Sequence, residues 1–340
     1  MTSKGRRPPP EVLATLPVAV DAMGGDRAPE EIVGGSRDAV EKDEIQVVLV
    51  GKPDQLSDID GLDVVACSEV IAMDEDPAGG VRRKKDSSLV RCAELVRDGR
   101  ACAMVSAGNT GATMASALLR MGRCRGVVRP CIATPLPRLG GKPAVLVDAG
   151  ANAECTSAML VQFAQMGSAF SNERYGIEQP TVGLLSIGEE PTKGTPLVKE
   201  THSLLSDGSR GINFIGNVEG RELLQSPADV VVTDGFTGNV APKALEGALR
   251  FMFDTVAGVF SIDDATREAS GAILPHLLSI ASVFDPENTG GAMLLGVNGV
   301  CVISNGSSSS LAIRNAIRVA HDLAAGGVVD RIAESISPAD

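Results

Sequence analysis

Lys193 and Asn239 are the side chains best suited to hold a small anion, because each stands in a loop rich in glycine, threonine and other small polar residues. Lys193 belongs to SIGEEPTKGT (186–195), and Asn239 belongs to TDGFTGNV (233–240). Glycine lets the backbone approach a ligand closely, and free N–H groups at a helix start attract negative charge. The sequence therefore predicts a phosphate held by Lys193, Asn239 and backbone N–H groups. The alternative for Lys193 is an ordinary solvated lysine.

Four further loops share this composition, namely DAMGGD (21–26), SAGNTGA (106–112), DAGANAE (148–154) and GNVEG (216–220). In open parallel sheets, ligands bind beyond the carboxyl ends of the strands. We expect all six loops on one edge of a sheet, where they would form an anion-lined cleft, although each loop alone is ordinary turn chemistry. The candidate phosphate- and substrate-binding residues are Asp21, Gly24, Gly25, Asp26, Gly108, Asn109, Thr110, Gly111, Asn152, Asp234, Gly235, Thr237 and Gly238.

Pro242 sets the predicted start of the helix after the Asn239 loop, because proline lacks an N–H and fits the first helical turn. Ala241 precedes it and is pushed away from helical angles. We therefore expect the N–H groups of residues 235–240 to be free to face a ligand.

Familiar catalytic motifs are missing from the chain. It has no GxxxxGK[ST], no GxGxxG followed by an acid about 20 residues later, and no GxSxG. Its three histidines, His202, His276 and His321, lie on predicted helices without a matched nucleophile or the pattern of a zinc site. The class that remains is chemistry by positioning and charge, such as attack of phosphate on an activated acyl group. We predict no metal and no organic cofactor.

Short apolar runs alternate with longer amphipathic segments, as in a parallel sheet covered by helices. The predicted strands are 17–21, 46–50, 63–66, 101–107, 144–148, 181–187, 212–216, 229–233 and 299–304. The predicted helices are 29–42, 87–98, 110–122, 156–175, 196–206, 242–260, 265–284 and 309–325. The predicted fold class is α/β, a three-layer α/β/α sandwich with a mostly parallel sheet. We expect a flexible arm over 1–16, one domain over 17–335 and a tail over 336–340.

Composition limits the partners and the compartment. The 31 basic residues against 43 acidic ones give a net charge of −12, which disfavours nucleic acid. The seven cysteines form no CxxC pair, and we interpret them as small reduced core residues of a cytoplasmic protein. No run of 18 apolar residues occurs, so we expect no spanning helix, although attachment to a membrane surface stays open.

One basic cluster stands out on this acidic chain, formed by Arg82, Arg83, Lys84 and Lys85. Such a cluster steers an acidic macromolecule towards one face of the protein. The alternative is a solvated loop in which Asp86 or Ser87 caps the helix that follows.

Seven motifs together resemble the phosphate acyltransferases of the PlsX family, in order and with similar spacing from about residue 17 to 325. They are DAMGGDRAP (21–29), RRKKDSS (82–88), SAGNTGA (106–112), DAGAN (148–152), GEEPTKG (188–194), NVEGR (217–221) and VTDGFTGNVAPKALEG (232–247). The resemblance implies an isocitrate dehydrogenase-like α/β/α sandwich that forms homodimers. It implies transfer of a long acyl chain from acyl carrier protein to inorganic phosphate, which gives acyl phosphate for phospholipid synthesis.

By resemblance, Lys193 and Asn239 are the catalytic residues, and the acidic acyl carrier protein is the partner of Arg82, Arg83, Lys84 and Lys85. A membrane glycerol-3-phosphate acyltransferase is a further candidate partner. Two alternatives stay open, a phosphotransacetylase-like enzyme that uses acyl-CoA and a non-catalytic phosphate-binding regulator of lipid synthesis.

The chain departs from the family pattern at three places. Asn305 stands where the family usually has histidine, so an acid or base role of that histidine does not apply here. Thr195 replaces a common asparagine in the TKG loop, a change that we expect to be mild. The segment 251–290 is a basic helical projection in the family, whereas here its part SIDDATREASGAILPHLLSIASVF (261–284) is acidic first and apolar second. It is expected to serve in dimer packing or in contact with a membrane surface.

Overall fold

The computed structural model describes residues 8–208, 211–225 and 227–336. Eleven strands of these residues form one sheet in the order β3-β2-β1-β4-β11-β10-β5-β6-β9-β7-β8. The strands are β1 (Val18–Asp21), β2 (Val47–Gly51), β3 (Asp63–Ala66), β4 (Ala103–Ser106), β5 (Cys131–Leu136), β6 (Ala144–Val147), β7 (Thr181–Ser186), β8 (Asn213–Glu219), β9 (Val230–Val232), β10 (Ala292–Leu295) and β11 (Val300–Ile303).

Helices cover both faces of this sheet. They are α1 (Pro10–Leu13), α2 (Glu30–Asp43), α3 (Pro77–Arg83), α4 (Ser88–Arg97), α5 (Thr110–Arg120), α6 (Ser157–Tyr175), α7 (Pro196–Ser206), α8 (Gly235–Val259), α9 (Asp264–Val283), α10 (Ser310–Ala325) and α11 (Val328–Ile336). The predicted α/β class with a mostly parallel sheet is therefore confirmed.

The core is built almost entirely from aliphatic side chains. Valine, alanine, leucine and isoleucine dominate the buried residues, and Phe163 and Phe170 are the phenylalanines among them in the described part of the chain. All seven cysteines are free, six are buried, and Cys155 is half-buried, as the reading of small core residues predicts.

The nine predicted strands are present, but the sequence analysis missed two strands at the centre of the sheet. β5 carries Pro135, and proline inside an apolar run argues against a central strand because it cannot donate a hydrogen bond. β10 is a run of four residues, and it lies just after the segment 251–290 that we assigned to a helical projection.

These two strands change the direction of the sheet. β3, β2, β1, β4 and β11 run parallel to one another, whereas β10 is antiparallel to both β11 and β5. β6 is antiparallel to β5 and parallel to β9, which is parallel to β7, and β7 is parallel to β8. The second group of parallel strands therefore runs opposite to the first group.

The prediction that all six glycine-rich loops share one edge of the sheet is wrong for this reason. The loops 21–26 and 106–112 follow β1 and β4 at one edge. The loops 148–154, 186–195 and 233–240 follow β6, β7 and β9 at the opposite edge. The predicted loop 216–220 is mostly strand, because β8 continues to Glu219 and pairs with β7 along its length.

The two ends of the chain differ from the expected arm and tail. Within the predicted arm, residues 10–13 form a short helix whose Leu13 is buried, and His321 of α10 contacts the carbonyl oxygen of Ala14. The first seven residues of that arm lie outside the described residues. Ile336 ends α11, and the rest of the predicted tail also lies outside them.

α8 and α9 differ from the other long helices because they bury few side chains. Their buried residues are Gly235, Gly238 and Ser270, whereas Phe251 is 73% exposed and Ile262, between the two helices, is 70% exposed. No helix in the described ranges combines the length and the apolar character needed to cross a membrane.

Candidate active site

A buried carboxylate organises the turn after β6. Asp148 accepts hydrogen bonds from the backbone N–H groups of Ile132, Ala151 and Asn152 and from the side-chain amide of Asn152, at 2.8 to 2.9 Å. Burial raises the pKa of Asp148, and these hydrogen bonds act in the opposite direction. The carboxylate thereby fixes residues 148–152 against the start of β5.

Asn152 connects this turn to its neighbours. Its side-chain amide also donates to the carbonyl of Pro130 at 2.8 Å, and its own carbonyl accepts the N–H of Gly235 at 2.8 Å. Asn152, predicted to bind substrate, therefore joins the turn after β6 to the beginning of β5 and to the start of α8.

α8 begins at Gly235 and not at Pro242, so the predicted helix start is wrong. Asp234 caps the helix by accepting the N–H of Thr237 at 2.9 Å, and the N–H of Gly238 bonds to the carbonyl of Asp234. With Gly235 bonded to Asn152, these N–H groups are not free for a ligand. Pro242 lies two turns inside the helix, where it cannot donate to the carbonyl of Gly238.

The glycines of this loop serve close packing. A β-carbon at Gly235 would lie 2.5 Å from the carbonyl oxygen of Asn152, and one at Gly238 would overlap the carbonyl oxygen of Asp148. Only glycine lets the first turn of α8 approach the turn after β6 this closely.

Asn239 is placed on the first turns of α8, half-buried beside Ala149 and Gly150. Within the part of the chain that the structure describes, its amide nitrogen makes one long contact, 3.4 Å, with the carbonyl oxygen of Ala149. Most of the hydrogen-bonding capacity of this side chain therefore remains for a ligand.

Lys193 extends from a loop whose backbone is held by an asparagine. Asn217 donates to the carbonyls of Gly188 and Glu190 at 3.2 and 3.0 Å, and the N–H of Lys193 bonds to Glu190. The absence of a side chain at Gly188 leaves room for the stem of Lys193. The Lys193 ammonium is exposed, and it has no ion-pair partner among the residues that the structure describes.

Asn217 is a supporting residue that sequence reasoning missed, although it stands in the quoted motif NVEGR. Thr195, at the end of the same loop, caps α7 by accepting the N–H of Val198 at 3.3 Å. The cap agrees with the expectation that threonine is a mild replacement there.

The structure brings the two predicted catalytic residues to one edge of the sheet. β9 lies between β6 and β7, and all three strands are parallel. Asn152, Asn239 and Lys193 therefore follow three adjacent strands at their carboxyl ends.

At the opposite edge, the first two glycine-rich loops interlock around Asp21. This buried carboxylate accepts hydrogen bonds from Ser106 at 2.8 Å and from Ser88, and burial raises its pKa. A β-carbon at Gly24 would lie 2.8 Å from the backbone nitrogen of Gly108, so the loops touch there. Ser88, quoted only as part of the basic motif, thus supports the loop of Asp21.

The neighbouring residues of these loops are also placed by contacts within the chain. Gly25 has a φ of 115°, and the N–H of Asp26 donates to the carbonyl of Gly306 at 2.8 Å. The side chain of Asn305, nearby in sequence, accepts from the N–H and the hydroxyl of Ser307, which leaves its amide nitrogen available.

Asn109 is a helix cap. Its side-chain oxygen accepts the N–H of Ala112 at 3.0 Å, and its amide nitrogen donates to the carbonyls of Met73 and Glu75 at 2.8 and 3.1 Å. Thr110 is exposed beside it, and Gly111 packs against Pro77. These contacts use the Asn109 amide in holding residues 73–77 over the start of α5.

A cavity of about 200 Å³ is lined by residues from both groups of glycine-rich loops, those after β1 and β4 and those at the opposite edge. Gly111 on α5, from the first group, and Asn152 in the turn after β6, from the second, both line it. Arg129 also lines the cavity. Arg129 is not among the site residues predicted from the sequence, because no glycine-rich motif surrounds it.

The basic cluster 82–85 lies at the end of α3 and just after it. Lys84 and Arg83 both pair with Glu75, at 2.6 and 3.2 Å, and Lys84 is half-buried. Arg82 and Lys85 are exposed and make no ion pair within the described residues. Asp86 does not cap the next helix but bonds to Ser68 and Arg91. The pKa of Asp86 is lowered, chiefly by the hydrogen bond from Ser68.

No three His, Cys, Asp or Glu side chains come together as metal ligands would in the ranges described above. The polar side chains that follow the three adjacent strands are instead the ammonium of Lys193 and the amides of Asn152 and Asn239.

Comparison with known proteins gives concordant results. The model of the family described as "Fatty acid synthesis protein" matches residues 16–331. The phosphate acyltransferase of Elusimicrobium minutum is 47% identical over 329 residues, which cover 94% of this chain and 96% of that protein. The phosphate acyltransferase of Desulfitobacterium hafniense (strain DSM 10664 / DCB-2) is 45% identical, over 94% of this chain and 97% of that protein.

Among solved structures, the EutD phosphotransacetylase from Staphylococcus aureus superposes with a TM-score of 0.60 at 17% identity, over 92% of this chain and 96% of that one. At this identity the likeness establishes the fold. The sequence relatives and the family model establish more, and the chain belongs to the PlsX family of phosphate acyltransferases.

Proposed function

We propose that this protein transfers a long-chain acyl group from acyl carrier protein to inorganic phosphate, which gives acyl phosphate for phospholipid synthesis. The names of its relatives support acyl transfer and a role in lipid synthesis. The observation that carries the proposal is the position of two side chains at the carboxyl ends of the neighbouring parallel strands β7 and β9. Lys193 supplies an ammonium without an ion-pair partner among the described residues, and Asn239 supplies a largely unused amide.

In the proposed reaction, a phosphate oxygen attacks the thioester carbonyl carbon, and the C–S bond of the tetrahedral intermediate then breaks. The acyl group leaves on phosphate, and the carrier thiolate takes up the proton that the attacking hydrogen phosphate loses, so the products are acyl phosphate and the free thiol. Phosphate is already an anion, so the protein supplies position and charge and not a nucleophile. The Lys193 ammonium and the Asn239 amide stabilise the oxyanion, a contribution of roughly 3 to 4 kcal/mol per good donor.

A direct assay tests this function. Purified protein is mixed with palmitoyl acyl carrier protein, with or without phosphate, and the free carrier thiol is measured. We expect thiol release that depends on phosphate and on protein. Release from palmitoyl-CoA but not from the carrier would favour the phosphotransacetylase-like alternative, and phosphate binding without turnover would favour a regulator.

The exposed ends of the basic cluster support a docking role for the carrier protein. Reversing the two unpaired charges, as Arg82→Glu with Lys85→Glu, is expected to raise the apparent KM for palmitoyl acyl carrier protein roughly tenfold at low salt. The reason is that charge complementarity guides and holds an acidic partner, and this effect weakens as salt rises. Steady-state rates at two salt concentrations measure both effects.

The matched control is Arg100→Glu with Arg125→Glu, which makes the same charge change at two other exposed residues. Arg100 lies just before β4. The basic cluster is at the end of α3, which packs against α5, the helix that follows β4, so the cluster and Arg100 lie beyond opposite ends of that strand. The docking proposal fails if both double variants change KM and its salt dependence equally.

We further propose that α8 and α9 form the contact of a homodimer. Their exposed apolar side chains support it, including Phe251, Ile262 and Leu278, of which Leu278 is 59% exposed. Sedimentation analysis of the protein and of Phe251→Glu tests the proposal, with a monomeric wild-type protein as the contrary result. Contact with a membrane surface or with a membrane acyltransferase remains a prediction from the sequence.

A further inference from the structure

The cavity between α5 and the turn after β6 has one apolar side and one polar side. Met114, Ala115 and Leu118 of α5 and Leu294 of β10 supply the apolar side. Asn152 and Arg129 supply the polar side. A site of this kind suits a ligand with an apolar tail and a polar head.

The apolar side is a continuous stripe along one face of α5. Gly111, Ala115 and Leu118 are spaced by four and three residues, so they face the same way, and Met114 lies beside them. Met114, Ala115 and Leu118 are each half-buried, so part of their apolar surface remains open. The stripe from Gly111 to Leu118 is about 10 Å long at the rise of an α-helix.

The polar side contains a guanidinium without a protein partner. Arg129 is exposed and makes no hydrogen bond or ion pair among the described residues. Its neighbour Pro130 holds the amide of Asn152, so the backbone next to Arg129 is fixed. The flat fork of arginine matches the geometry of a phosphate group, and the protein's net charge of −12 leaves few surfaces that attract an anion.

One residue of the cavity lining contacts the start of α8. Asn152 lines the cavity, and its carbonyl accepts the N–H of Gly235, one turn before Asn239. A phosphate head beside Arg129 and Asn152 would therefore lie on the side of the molecule where the proposed acyl transfer takes place.

We propose that this cavity binds the acyl phosphate product, with the first carbons of the acyl chain along α5 and the phosphate on Arg129. The proposal rests on the function proposed above, since it assigns the place of the product of that reaction. It gives Arg129 a binding role and makes the α5 stripe the part of the protein that senses the acyl chain.

Binding of stable alkyl phosphates tests the cavity without any turnover. Titration calorimetry with butyl and octyl phosphate is expected to show affinity that rises about fourfold for each methylene that enters the cavity. Ala115→Phe fills the cavity and is expected to reduce the affinity for octyl phosphate at least tenfold while the affinity for butyl phosphate changes little. Leu118→Asn, which removes apolar surface instead of adding bulk, is expected to act in the same direction.

Leu311→Phe is the matched control for the bulky substitution. Leu311 is 44% exposed at the start of α10, which packs against α2, and it does not line the cavity. This variant is expected to bind both alkyl phosphates as the wild type does. Thermal unfolding shows that each variant is folded before its binding is interpreted.

Arg129→Gln tests the head group. Losing a hydrogen bond to a charged group is expected to lower the affinity for octyl phosphate roughly 10- to 100-fold. Arg125→Gln, an exposed arginine outside the cavity lining, is expected to leave that affinity unchanged. The proposal is overturned if octyl phosphate binds no more tightly than butyl phosphate, or if either folded Ala115→Phe or folded Arg129→Gln binds octyl phosphate as tightly as the wild type does.

The acyl transfer assay separates this proposal from the proposed function. If the wild type shows no turnover but the alkyl phosphates bind in the expected pattern, the cavity assignment stands and the proposed reaction fails. If turnover occurs and folded Ala115→Phe keeps both its rate and its octyl phosphate affinity, the reaction stands and the cavity assignment fails.

Discussion

Lys193→Ala is expected to slow the transfer of palmitate from acyl carrier protein to phosphate by roughly two to three orders of magnitude. The structure leaves the Lys193 ammonium exposed and unpaired within the described residues, so its charge is not spent on a structural ion pair. Replacing it should therefore cost little stability. Two quantities decide the test, turnover at saturating substrate and the melting temperature of each variant.

Lys199→Ala is the matched control for this substitution. Lys199 is exposed on α7, six residues after Lys193, and its ammonium likewise has no ion-pair partner in the part of the chain described. Its removal changes the net charge by the same amount and should leave turnover within about twofold. A folded Lys193→Ala variant with a near-normal rate would remove Lys193 from the proposed mechanism.

Asn239→Ala is expected to slow turnover by a similar factor, because the amide of Asn239 would contact the same oxyanion as Lys193. If the two groups act on one charge, the double variant should lose less than the product of the two single losses. If the loss of turnover in the double variant equals the product of the two single losses, the two side chains act independently and do not stabilise the same charge.

Much of the fold could be predicted from the sequence because the local signals agree with the final structure. Strands such as β1 and β6 are apolar on both faces, which is the pattern of a buried parallel strand. Helix starts were also visible, since Asn109, Thr156 and Ser309 each cap the helix that follows. For these strands and helix starts, the local sequence was sufficient.

The direction of the sheet could not be predicted in the same way. It depends on β5 and β10, and each gives a weak local signal, a strand containing Pro135 in one case and four residues in the other. Their pairing with distant strands supplies the missing stability, and that pairing is a property of the whole fold. One unrecognised reversal was enough to separate loops that we expected on a common edge.

The candidate site shows the same division between local and distant contributions. Lys193 and Asn239 stand in recognisable loops, and neighbouring parallel strands place them at one edge as predicted. Arg129 and Asn217 stand out only through what they face, the cavity and the Lys193 loop. The correct start of α8 could have been predicted from the sequence, because Asp234 is a residue type that caps helices and its side chain accepts the N–H of Thr237, three residues later.

Gly238→Ala is expected to destabilise the protein by about 3 kcal/mol or more and to abolish measurable acyl transfer. The added β-carbon would overlap the carbonyl oxygen of Asp148, which is backbone and cannot rotate away. The first turn of α8 would have to move from the turn after β6, and overpacking of this kind typically costs 1 to 3 kcal/mol, occasionally more. Asn239, the next residue, would be displaced by the same movement. Chemical denaturation and turnover measure the two effects.

Gly247→Ala makes the same substitution on the same helix and should have the opposite effect on stability. Among the described residues, no atom outside its own helix turns lies within 4 Å of the position that its β-carbon would take, and the site is exposed. Alanine is favoured over glycine inside a helix by about 0.5 to 1 kcal/mol, so a gain of that size is expected with turnover unchanged. If both variants lose the same amount of stability, α8 does not tolerate alanine at either glycine. The close approach of Gly238 to Asp148 would then not explain the glycine at position 238. Loss at Gly238 alone would tie the position of Asn239 to the contact between α8 and Asp148.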